Sequence, residues 1–409
     1  MTSWQVGIIL SVDGVASGTG KPPAKCALGV INVHDGITLV NVSKRFTGAD
    51  EPAVRDVHLS VEPGEIVALL GPSGCGKTTT LRLIAGFERP DEGHVIIAGN
   101  QVAGPHGFIS PDKRGVGMVF QDYALFPHLT VSDNIAFGIG RLPRQEKRER
   151  IDELLELTGL GALAERFPHQ LSGGQQQRVA MARALGPKPH VLLLDEPFSN
   201  LDTEMRLAMR IEVRDLLKSL GTTAILVTHD QQEAMTVADR MAVMLHGRVE
   251  QIDVPEIVYH YPATRAVANF VGQGTFVPAT IAGAIAESDL GRFELEEQGA
   301  QVHVDLLIRP RDVSLEVDPD GIAVIVSRTF HGAETTYVIQ LPCGVQLQSN
   351  QPSYVSISPG ARVRVRCNRV RLAAYDADSR VALTAPPRLG PMSLGTPVAL
   401  DGIDAAARS

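Results

Sequence analysis

The part of the chain that most constrains its fold is residues 65–86, where an apolar run meets a glycine-rich turn and then a helical pattern. The run Ile66–Leu70 has the composition of a strand buried on both faces of a sheet. The turn that follows, GPSGCGKT, matches the pattern G-x-x-x-x-G-K-[ST] in full. Leu81, Leu83 and Ile84 then begin helical spacing. The sequence therefore predicts an α/β fold in which a strand, a phosphate-binding loop and a helix follow one another.

Each residue type in this phosphate loop (residues 71–78) has a chemical reason to be there. Glycines allow backbone N–H groups to turn inward around phosphate oxygens, and the helix that follows directs its positive end at the same charge. We expect Lys77 to lie against the β- and γ-phosphates of a nucleotide and Thr78 to supply a hydroxyl to Mg²⁺. The residues predicted to contact the nucleotide here are Gly71, Pro72, Ser73, Gly74, Cys75, Gly76, Lys77, Thr78 and Thr79.

Three other apolar runs end in polar residues suited to the same chemistry. VLLLDEP ends in Asp195, which can hold Mg²⁺ through its water shell, and Glu196, which can polarise a water for in-line attack on the γ-phosphate. In AILVTHD the apolar strand ends at His229, which we expect to contact the γ-phosphate. A structural histidine is the alternative. GVGMVF leads into Gln121, a residue predicted to reach Mg²⁺ or the attacking water.

A second glycine-containing helix start occurs further along, in LSGGQQQRVAMARAL. Small residues and open N–H groups ahead of a helix favour anions, so Ser172, Gly173, Gly174 and Gln175 are predicted to bind nucleotide as well. The surrounding residues, from about 130 to 186, are helical and charged in composition and predict a helical subdomain. Two such helix starts in one chain suggest a composite site.

Length and composition limit the remaining possibilities. A chain of 409 residues is expected to form two or three domains, and its net charge of −8 argues against nucleic acid as the main partner. No apolar run approaches the roughly 20 residues of a membrane-spanning helix, so we expect a soluble protein, and any work that it does at a membrane must go through a partner. The four cysteines suit a reducing cytosol. Cys75 is interpreted as a small residue filling a tight loop, with an oxidation-sensitive thiol as the alternative.

The pattern along the chain predicts four regions. Residues 1–35 are expected to be a disordered extension or an over-called start, and residues 36–270 a nucleotide-binding domain. Short β-rich runs separated by Gly, Pro and Asn predict a small β-barrel or sandwich over residues 271–385. Residues 386–409, rich in Ala, Gly and Pro, are expected to be disordered.

One β-rich run is strongly basic. Arginines alternate with Val363 and Val365, and side chains at every second position share one face of a strand. We interpret the arginines as a solvated strand face and not as a nucleic-acid surface, an interpretation that covers Arg362, Arg364, Arg366, Arg369 and Arg371.

Taken in order, these motifs resemble those of the ATPase subunit of an ABC transporter. The family's Walker A motif reads GPSGCGKT, its Q-loop glutamine is Gln121, its signature is LSGGQ and its Walker B motif is VLLLDE. Its D-loop reads SNLD and ends at Asp202, and its switch histidine is His229. The resemblance implies a homodimer in which ATP on one subunit's phosphate loop is closed by Ser172 and Gly174 of the other. It also implies that Phe46 stacks on adenine, where packing in the core is the alternative.

The resemblance extends to architecture and partners. It implies a mixed-sheet ATPase core with a helical subdomain, followed by the oligonucleotide-fold-like regulatory domain of bacterial import ATPases. Such a subunit binds ATP and Mg²⁺, works with integral membrane permeases and indirectly with a periplasmic solute-binding protein, and lies peripherally on the cytoplasmic face of the inner membrane. Tyr123, Leu125 and Phe126 resemble the groove that receives the permease's coupling helix, with ordinary packing as the alternative.

The transported solute is less constrained by the sequence. Two segments, QDYALFPHLTVSDNIAFG and FHGAETTYVIQLP, are most similar to those of ferric-iron import ATPases. Polyamine, sulfate or thiosulfate and sugar importers share most of these sequence motifs. A soluble, non-transport ABC ATPase is the alternative of another class. The chromosome-structure members of that class carry a long coiled coil, and this sequence has no sustained heptad run.

Overall fold

The structure is a computed structural model that describes residues 36–105, 107–140, 142–283, 285–294, 303–369 and 372–376. The predicted extension at residues 1–35 and the predicted tail at residues 386–409 lie outside the described residues. Helices and strands are numbered in chain order.

The first sheet is antiparallel and has five strands in the order β2-β1-β4-β5-β6. Its strands are β1 (Ile37–Lys44), β2 (Val54–Val61), β4 (Glu92–Ile97), β5 (Asn100–Gly104) and β6 (Gly107–Phe108). The alternation of apolar and polar residues that predicts β1 and β2 corresponds to one buried and one more accessible face. The buried face packs on the second sheet.

The second sheet carries the phosphate loop at the end of its third strand. Its members are β3 (Ile66–Leu70), β7 (Val116–Val119), β8 (Val191–Asp195), β9 (Thr223–Thr228), β10 (Arg240–Leu245) and β11 (Arg248–Asp253). Their order is β11-β10-β3-β9-β8-β7, and every neighbouring pair is parallel except β10 with β11. Leu70 pairs with Thr228, and Asp195 pairs with Val227. The carboxyl ends of β3, β9 and β8 therefore meet at one edge.

The second sheet separates two hydrophobic clusters. Along β3, Ile66, Ala68 and Leu70 belong to the cluster on the helical side, while Val67 and Leu69 belong to the cluster shared with the first sheet. This division follows from the two-residue period of a strand and explains why β3 is apolar throughout.

Eight helices surround these sheets in the described part of the chain. They are α1 (Lys77–Ala85), α2 (Val131–Ile139), α3 (Arg144–Leu157), α4 (Gly173–Leu185), α5 (Thr203–Ser219), α6 (Gln231–Val237), α7 (Pro255–His260) and α8 (Arg265–Val271). Helices α2, α3 and α4 pack together through buried residues that include Ile135, Leu154 and Val179, where the sequence predicts a helical subdomain. The Thr130 side chain caps α2 by accepting a hydrogen bond from the N–H of Asp133 at 3.1 Å. A helix with the length and apolar composition to span a bilayer does not occur among the described residues.

The C-terminal part consists of strands, as the sequence predicts. One sheet has the order β14-β13-β12-β15-β21, with β12 (Thr275–Ala282), β13 (Ile285–Ser288), β14 (Gly291–Glu294), β15 (His303–Ile308) and β21 (Ala374–Asp376). The other has the order β16-β20-β17-β18-β19, with β16 (Val313–Val317), β17 (Ala323–Phe330), β18 (Glu334–Gln340), β19 (Gln346–Pro352) and β20 (Arg362–Cys367). Both sheets contribute to one apolar core.

The basic strand β20 behaves as predicted over most of its length. Arg362, Arg364 and Arg366 are exposed, and Val363 between them is buried. The prediction is wrong for Arg369, which lies beyond the end of β20 with its guanidinium 2.8 Å from His260 Nδ1. Arg371 lies outside the described residues.

A buried arginine joins the last two helices, α7 and α8, to the β-rich part. Arg309, which follows β15, is almost fully buried and donates hydrogen bonds to four backbone carbonyls. The acceptors are Tyr259 at 3.0 Å, Ala268 at 3.1 Å, Gly272 at 2.6 Å and Gln273 at 3.1 Å. Tyr259 and Ala268 lie in the last turns of α7 and α8, and the other two residues directly follow α8. One guanidinium therefore satisfies backbone acceptors that a helix end leaves without intrahelical donors.

Candidate nucleotide site

The phosphate loop depends on glycine because neighbouring backbone packs directly against it. Gly76 is the N-cap of α1 and has φ of 105°. A Cβ atom on Gly76 would lie 2.2 Å from the carbonyl oxygen of Ala53, and one on Gly71 would lie 2.3 Å from that of Met244. Gly74 also has a positive φ, 80°, but faces open space. The loop therefore places bare backbone at the N-terminus of α1, which is the arrangement that phosphate binding requires.

Lys77 lies across this loop. Its side chain is buried, and Nζ donates hydrogen bonds to the carbonyl oxygens of Gly71 at 2.7 Å and Pro72 at 2.9 Å. The Sγ atom of Cys75 lies 3.9 Å from Nζ. Burial raises the pKa of the Cys75 thiol, and the Lys77 ammonium opposes that rise. These contacts favour the interpretation of Cys75 as a small residue that fills the loop.

The hydroxyl at the start of α1 faces the carboxylate at the end of β8. Thr78 Oγ1 donates to Asp195 Oδ1 at 3.4 Å. Burial raises the pKa of the Asp195 carboxyl, the neighbouring Glu196 carboxylate raises it further, and Thr78, Arg82 and Lys77 act in the opposite direction. One hydroxyl and one carboxylate, both oxygen donors, fit Mg²⁺, which commonly takes one or two protein ligands together with phosphate oxygens.

Glu196 and His229 meet at the same sheet edge. Glu196 Oε1 lies 3.1 Å from His229 Nδ1. Glu196 has φ of 45°, a left-handed conformation that is uncommon for a residue with a side chain, and its N–H donates to the carbonyl of Val227 in β9 at 2.9 Å. Backbone strain of this kind is concentrated at functional sites. The histidine side chain is 57% exposed and so remains accessible from solvent.

A turn formed by residues 199–202 connects several of the predicted site residues. The Asn200 side chain donates to the carbonyl oxygen of Gln121 at 2.7 Å, and the Ser199 hydroxyl donates to the carbonyl oxygen of Glu196 at 2.9 Å. Asp202 caps α5 by accepting from the N–H of Met205 at 2.9 Å. The segments that hold Gln121, Glu196 and Asp202 are therefore linked by direct hydrogen bonds.

The signature residues form a separate group at the start of α4. Ser172 and Gln175 make a capping box, in which the Gln175 N–H donates to the Ser172 hydroxyl at 3.4 Å and the Ser172 N–H donates to Gln175 Oε1 at 3.0 Å. A Cβ atom on Gly173 would lie 3.3 Å from the Leu201 side chain, and one on Gly174 would lie 3.5 Å from Met209. Within one chain Gly173 therefore faces the 199–202 turn, and Gly174 faces α5.

Phe46 is not a core residue, because 39% of it is exposed. Its ring lies under the ammonium group of Lys44, 5.7 Å from Nζ to the ring centroid. The loop that begins at Phe46 continues to Ala53, whose carbonyl oxygen packs against Gly76. Phe46 thus lies on the loop that borders the phosphate loop.

The three residues predicted to line a permease groove differ from one another. Tyr123 is buried in the core, so ordinary packing is the correct interpretation for it, and Leu125 packs partly against the same cluster. The half-buried ring of Phe126 lies 4.4 Å from that of Phe137, which is 64% exposed. The pair forms an accessible aromatic surface on the helical side.

Two residues that the motif analysis missed hold this segment in place. Arg183 of α4 donates to the carbonyls of Tyr123 at 2.7 Å and Ala124 at 2.6 Å, and these two residues have φ of 61° and 46°. Asn134, fully buried on α2, accepts from the N–H of Phe126 at 2.9 Å. A sequence signal for Asn134 exists, because it shares helical spacing with the apolar residues Val131 and Ile135.

Comparison with known proteins places this architecture in a family. The chain matches the family described as ABC transporter over residues 54–199 and the TOBE domain over residues 306–374. It is 42% identical over 347 residues to the spermidine/putrescine import ATP-binding protein PotA of Rubrobacter xylanophilus, which covers 80% of this chain and 90% of that protein. It is 48% identical over 265 residues to the Fe(3+) ions import ATP-binding protein FbpC of Mesorhizobium japonicum, which covers 64% of this chain and 73% of that protein.

A solved structure agrees with the fold of the ATPase part. The structure of cbiO1 from Clostridium perfringens, described as part of the ABC transporter complex cbiONQ, has a TM-score of 0.51 and 30% identity. The similarity covers 55% of this chain and 91% of that one.

The chain belongs to the family of ATP-binding subunits of ABC importers. It is an ATP hydrolase coupled to solute import, it uses ATP with Mg²⁺, and it carries a C-terminal TOBE domain made of strands.

The two positive-φ glycines of the loop give a matched test of the cradle. We expect Gly76→Ala to abolish measurable ATP binding in isothermal titration calorimetry, because its Cβ would meet the carbonyl oxygen of Ala53. Gly74→Ala faces open space and carries only the left-handed backbone strain of about 1 to 2 kcal/mol, so its affinity should fall by no more than about 30-fold, the loss expected if the free loop relaxes all of that strain. Equal affinities for the two variants would contradict the packing described for this loop.

Proposed function

We propose that this chain powers the import of Fe(3+) ions by hydrolysing ATP at the carboxyl edge of the six-stranded sheet. The observation that carries the hydrolytic site is the convergence of two contacts there, Thr78 with Asp195 and Glu196 with His229. They bring together, at the ends of neighbouring parallel strands, an oxygen pair for a metal ion and a carboxylate beside an imidazole.

In this proposal the phosphate loop binds ATP and orients it. Backbone N–H groups of residues 73–79 surround the phosphates, and Lys77 exchanges its contacts with the carbonyls of Gly71 and Pro72 for the β- and γ-phosphate oxygens. Phe46 stacks on the adenine ring, a role that its exposure and its place beside the phosphate loop support. Thr78, Asp195 and Gln121 hold Mg²⁺. When bound, this ion neutralises negative charge that develops on the phosphate oxygens.

Hydrolysis then proceeds by in-line attack of water on the γ-phosphorus. Glu196 accepts a hydrogen bond and then the proton from the attacking water, the bond from phosphorus to the β–γ bridging oxygen breaks, and ADP and phosphate are formed. Gln121 orients the same water. His229 donates to the γ-phosphate, and its 3.1 Å contact with Glu196 supports a shared position for the two side chains. The left-handed backbone of Glu196, fixed by its hydrogen bond to Val227, directs the carboxylate toward this edge.

The working unit in this proposal is a homodimer. Ser172, Gly173, Gly174 and Gln175 lie at the N-terminus of α4, where Gly173 faces the 199–202 turn and Gly174 faces α5 of the same chain. This position supports a role in closing over the ATP bound to the phosphate loop of a second copy, with Asp202 at the same interface. Hydrolysis removes the γ-phosphate that bridges the two chains, and the dimer reopens.

Coupling to transport requires membrane partners. The exposed ring of Phe137 beside Phe126 supports a docking surface for a segment of an integral membrane permease, and cbiO1 is a structural neighbour described as part of such a transporter complex. The subunit would then lie on the cytoplasmic face of the inner membrane and reach a periplasmic solute-binding protein only through the permease. Arg183 and Asn134 fix the backbone on which Phe126 lies, so movement of this surface is transmitted to α4 and α2.

Ferric iron is the proposed solute because the Fe(3+) import protein FbpC shares 48% identity with this chain. A second candidate is spermidine or putrescine, because PotA at 42% identity matches a larger share of this chain, 80% against 64%. Two further alternatives are import of sulfate, thiosulfate or sugar by the same mechanism and a soluble non-transport role. Transport measurements distinguish them.

Replacement of Glu196 tests the hydrolytic assignment. We expect Glu196→Gln to bind ATP with wild-type affinity and to hydrolyse it at least about 100-fold more slowly, because the amide cannot accept the proton. It should also accumulate as an ATP-bound dimer in size-exclusion chromatography. Glu316→Gln, which changes an exposed carboxylate of the β-rich part, is the control and should keep the wild-type rate. A Glu196→Gln variant that hydrolyses ATP normally would show that another group is the base.

Uptake measurements test the solute. Cells that lack their own copy of this chain would receive either the wild-type chain or Glu196→Gln, and uptake of radiolabelled Fe(3+) and of radiolabelled spermidine would be compared. We expect wild type to restore iron uptake, Glu196→Gln to fail to restore it, and spermidine uptake to be the same in both. Restoration of spermidine uptake instead would retain the importer mechanism and replace the solute, and restoration of neither would contradict both assignments.

A further inference from the structure

A buried charge network lies directly behind His229. Arg210, on α5, is 3% exposed, and its guanidinium donates to Asp230 Oδ2 at 2.7 Å and to Glu233 Oε1 at 3.3 Å. Glu233, 4% exposed, also accepts a hydrogen bond from the Thr228 hydroxyl at 2.5 Å. The network therefore connects α5 to the segment that contains His229.

The network that contains Arg210 includes residues on both sides of the histidine in the chain. Thr228 precedes His229, and its hydroxyl also accepts from the N–H of Asp230 at 2.9 Å. Asp230 follows His229, and its Oδ1 caps α6 by accepting from the N–H groups of Gln232 and Glu233 at 2.8 and 3.2 Å. The backbone of His229 is thus fixed before and after the residue, while the imidazole itself remains free to face Glu196.

Stability alone does not account for such a network. Burial raises the pKa of the Glu233 carboxyl, which the Thr228 hydrogen bond and the Arg210 charge oppose. Removing charged groups from water costs free energy that their attraction offsets only with good geometry, and apolar residues often replace buried ion pairs without loss of stability. A role in fixing geometry explains why charged residues occupy this position.

The contact between α5 and α6 continues beyond Arg210. Arg214, one turn further along α5, donates to the carbonyl of Val237 at 2.7 Å. Lys218, one turn beyond Arg214, pairs with Asp239, which follows α6. Arg210, Arg214 and Lys218 are spaced at i, i+4 and i+8, so they lie on one face of α5. Because α5 begins at its cap Asp202, the 199–202 turn and the His229 segment are attached to one rigid helix pair.

We propose that Arg210 is a positioning residue for His229, which holds the 228–230 backbone so that the imidazole faces Glu196 and the γ-phosphate. This inference rests on the proposed role of His229 in hydrolysis. It adds that Arg210 transmits displacement of the 199–202 turn to the histidine, because Arg210 lies on the helix that begins at this turn and bonds Asp230, the residue after His229.

A double-mutant cycle distinguishes positioning from a general structural role. The variants are Arg210→Met, His229→Ala and the combination, and kcat and KM for Mg·ATP are measured for each. We expect His229→Ala to lower kcat by about 100-fold or more and Arg210→Met to lower it by about tenfold to 100-fold, with KM within about threefold of wild type. The combination should be no slower than His229→Ala alone, because Arg210 acts through the histidine.

Companion variants separate the effect from misfolding. Arg210→Met combined with Glu233→Gln removes the guanidinium together with its buried carboxylate partner and leaves only the more exposed Asp230 carboxylate without that cation. It should show the low kcat of Arg210→Met with a thermal midpoint near that of wild type. Arg210→Lys keeps the charge and should recover part of kcat. Arg214→Met, one turn away on the same face, should keep kcat within about twofold.

Two results would overturn the inference in different ways. If the losses from Arg210→Met and His229→Ala multiply in the combination, Arg210 acts independently of the histidine and the positioning role is wrong while the proposed function stands. If His229→Ala keeps the wild-type kcat, the proposed role of His229 is wrong and the positioning role is wrong with it.

Discussion

The structure depends on the parallel pairing of β3 with β9 and of β9 with β8. This register places Leu70 beside Thr228 and Asp195 beside Val227, so the phosphate loop, the two acidic residues and the histidine leave the sheet at one edge. Backbone hydrogen bonds along three strands, together with apolar clusters on both faces, therefore determine the distances between groups that lie far apart in the chain. The contacts between Thr78 and Asp195 and between Glu196 and His229 follow from this strand register.

Much of this arrangement could be predicted from local sequence. The glycine pattern of residues 71–78 predicts the phosphate loop. The pattern is informative because neighbouring backbone lies so close to Gly71 and Gly76 that a larger residue would not fit there. The apolar runs predict β3, β8 and β9, and the Ser172–Gln175 pattern predicts the start of α4, since a capping box is a short-range interaction. These features are determined by residues adjacent in the chain.

Long-range polar contacts could not be predicted in the same way. Three arginines occur in segments where an arginine is ordinarily solvated. Only the tertiary structure shows that Arg210 pairs with Glu233 and that Arg183 bonds the Tyr123 carbonyl. The same holds for Arg309, which bonds carbonyls at the ends of α7 and α8. Arg210 carries one weak signal, because it shares helical spacing with the buried Val213 and Leu217. The left-handed backbone of Glu196 likewise depends on β9, to which its N–H is bonded.

In the proposed mechanism, Thr78, Asp195 and Glu196 assemble a metal-assisted hydrolytic site at this sheet edge. A crystal structure of Glu196→Gln grown with ATP and Mn²⁺ would locate the metal, because Mn²⁺ substitutes for Mg²⁺ and is found by its anomalous scattering. We expect an anomalous peak within coordination distance of Thr78 Oγ1, next to the Asp195 carboxylate, with the γ-phosphate between Lys77 and His229. An anomalous peak remote from Thr78 and Asp195, or ATP bound away from residues 71–78, would show that the site is not assembled from these residues.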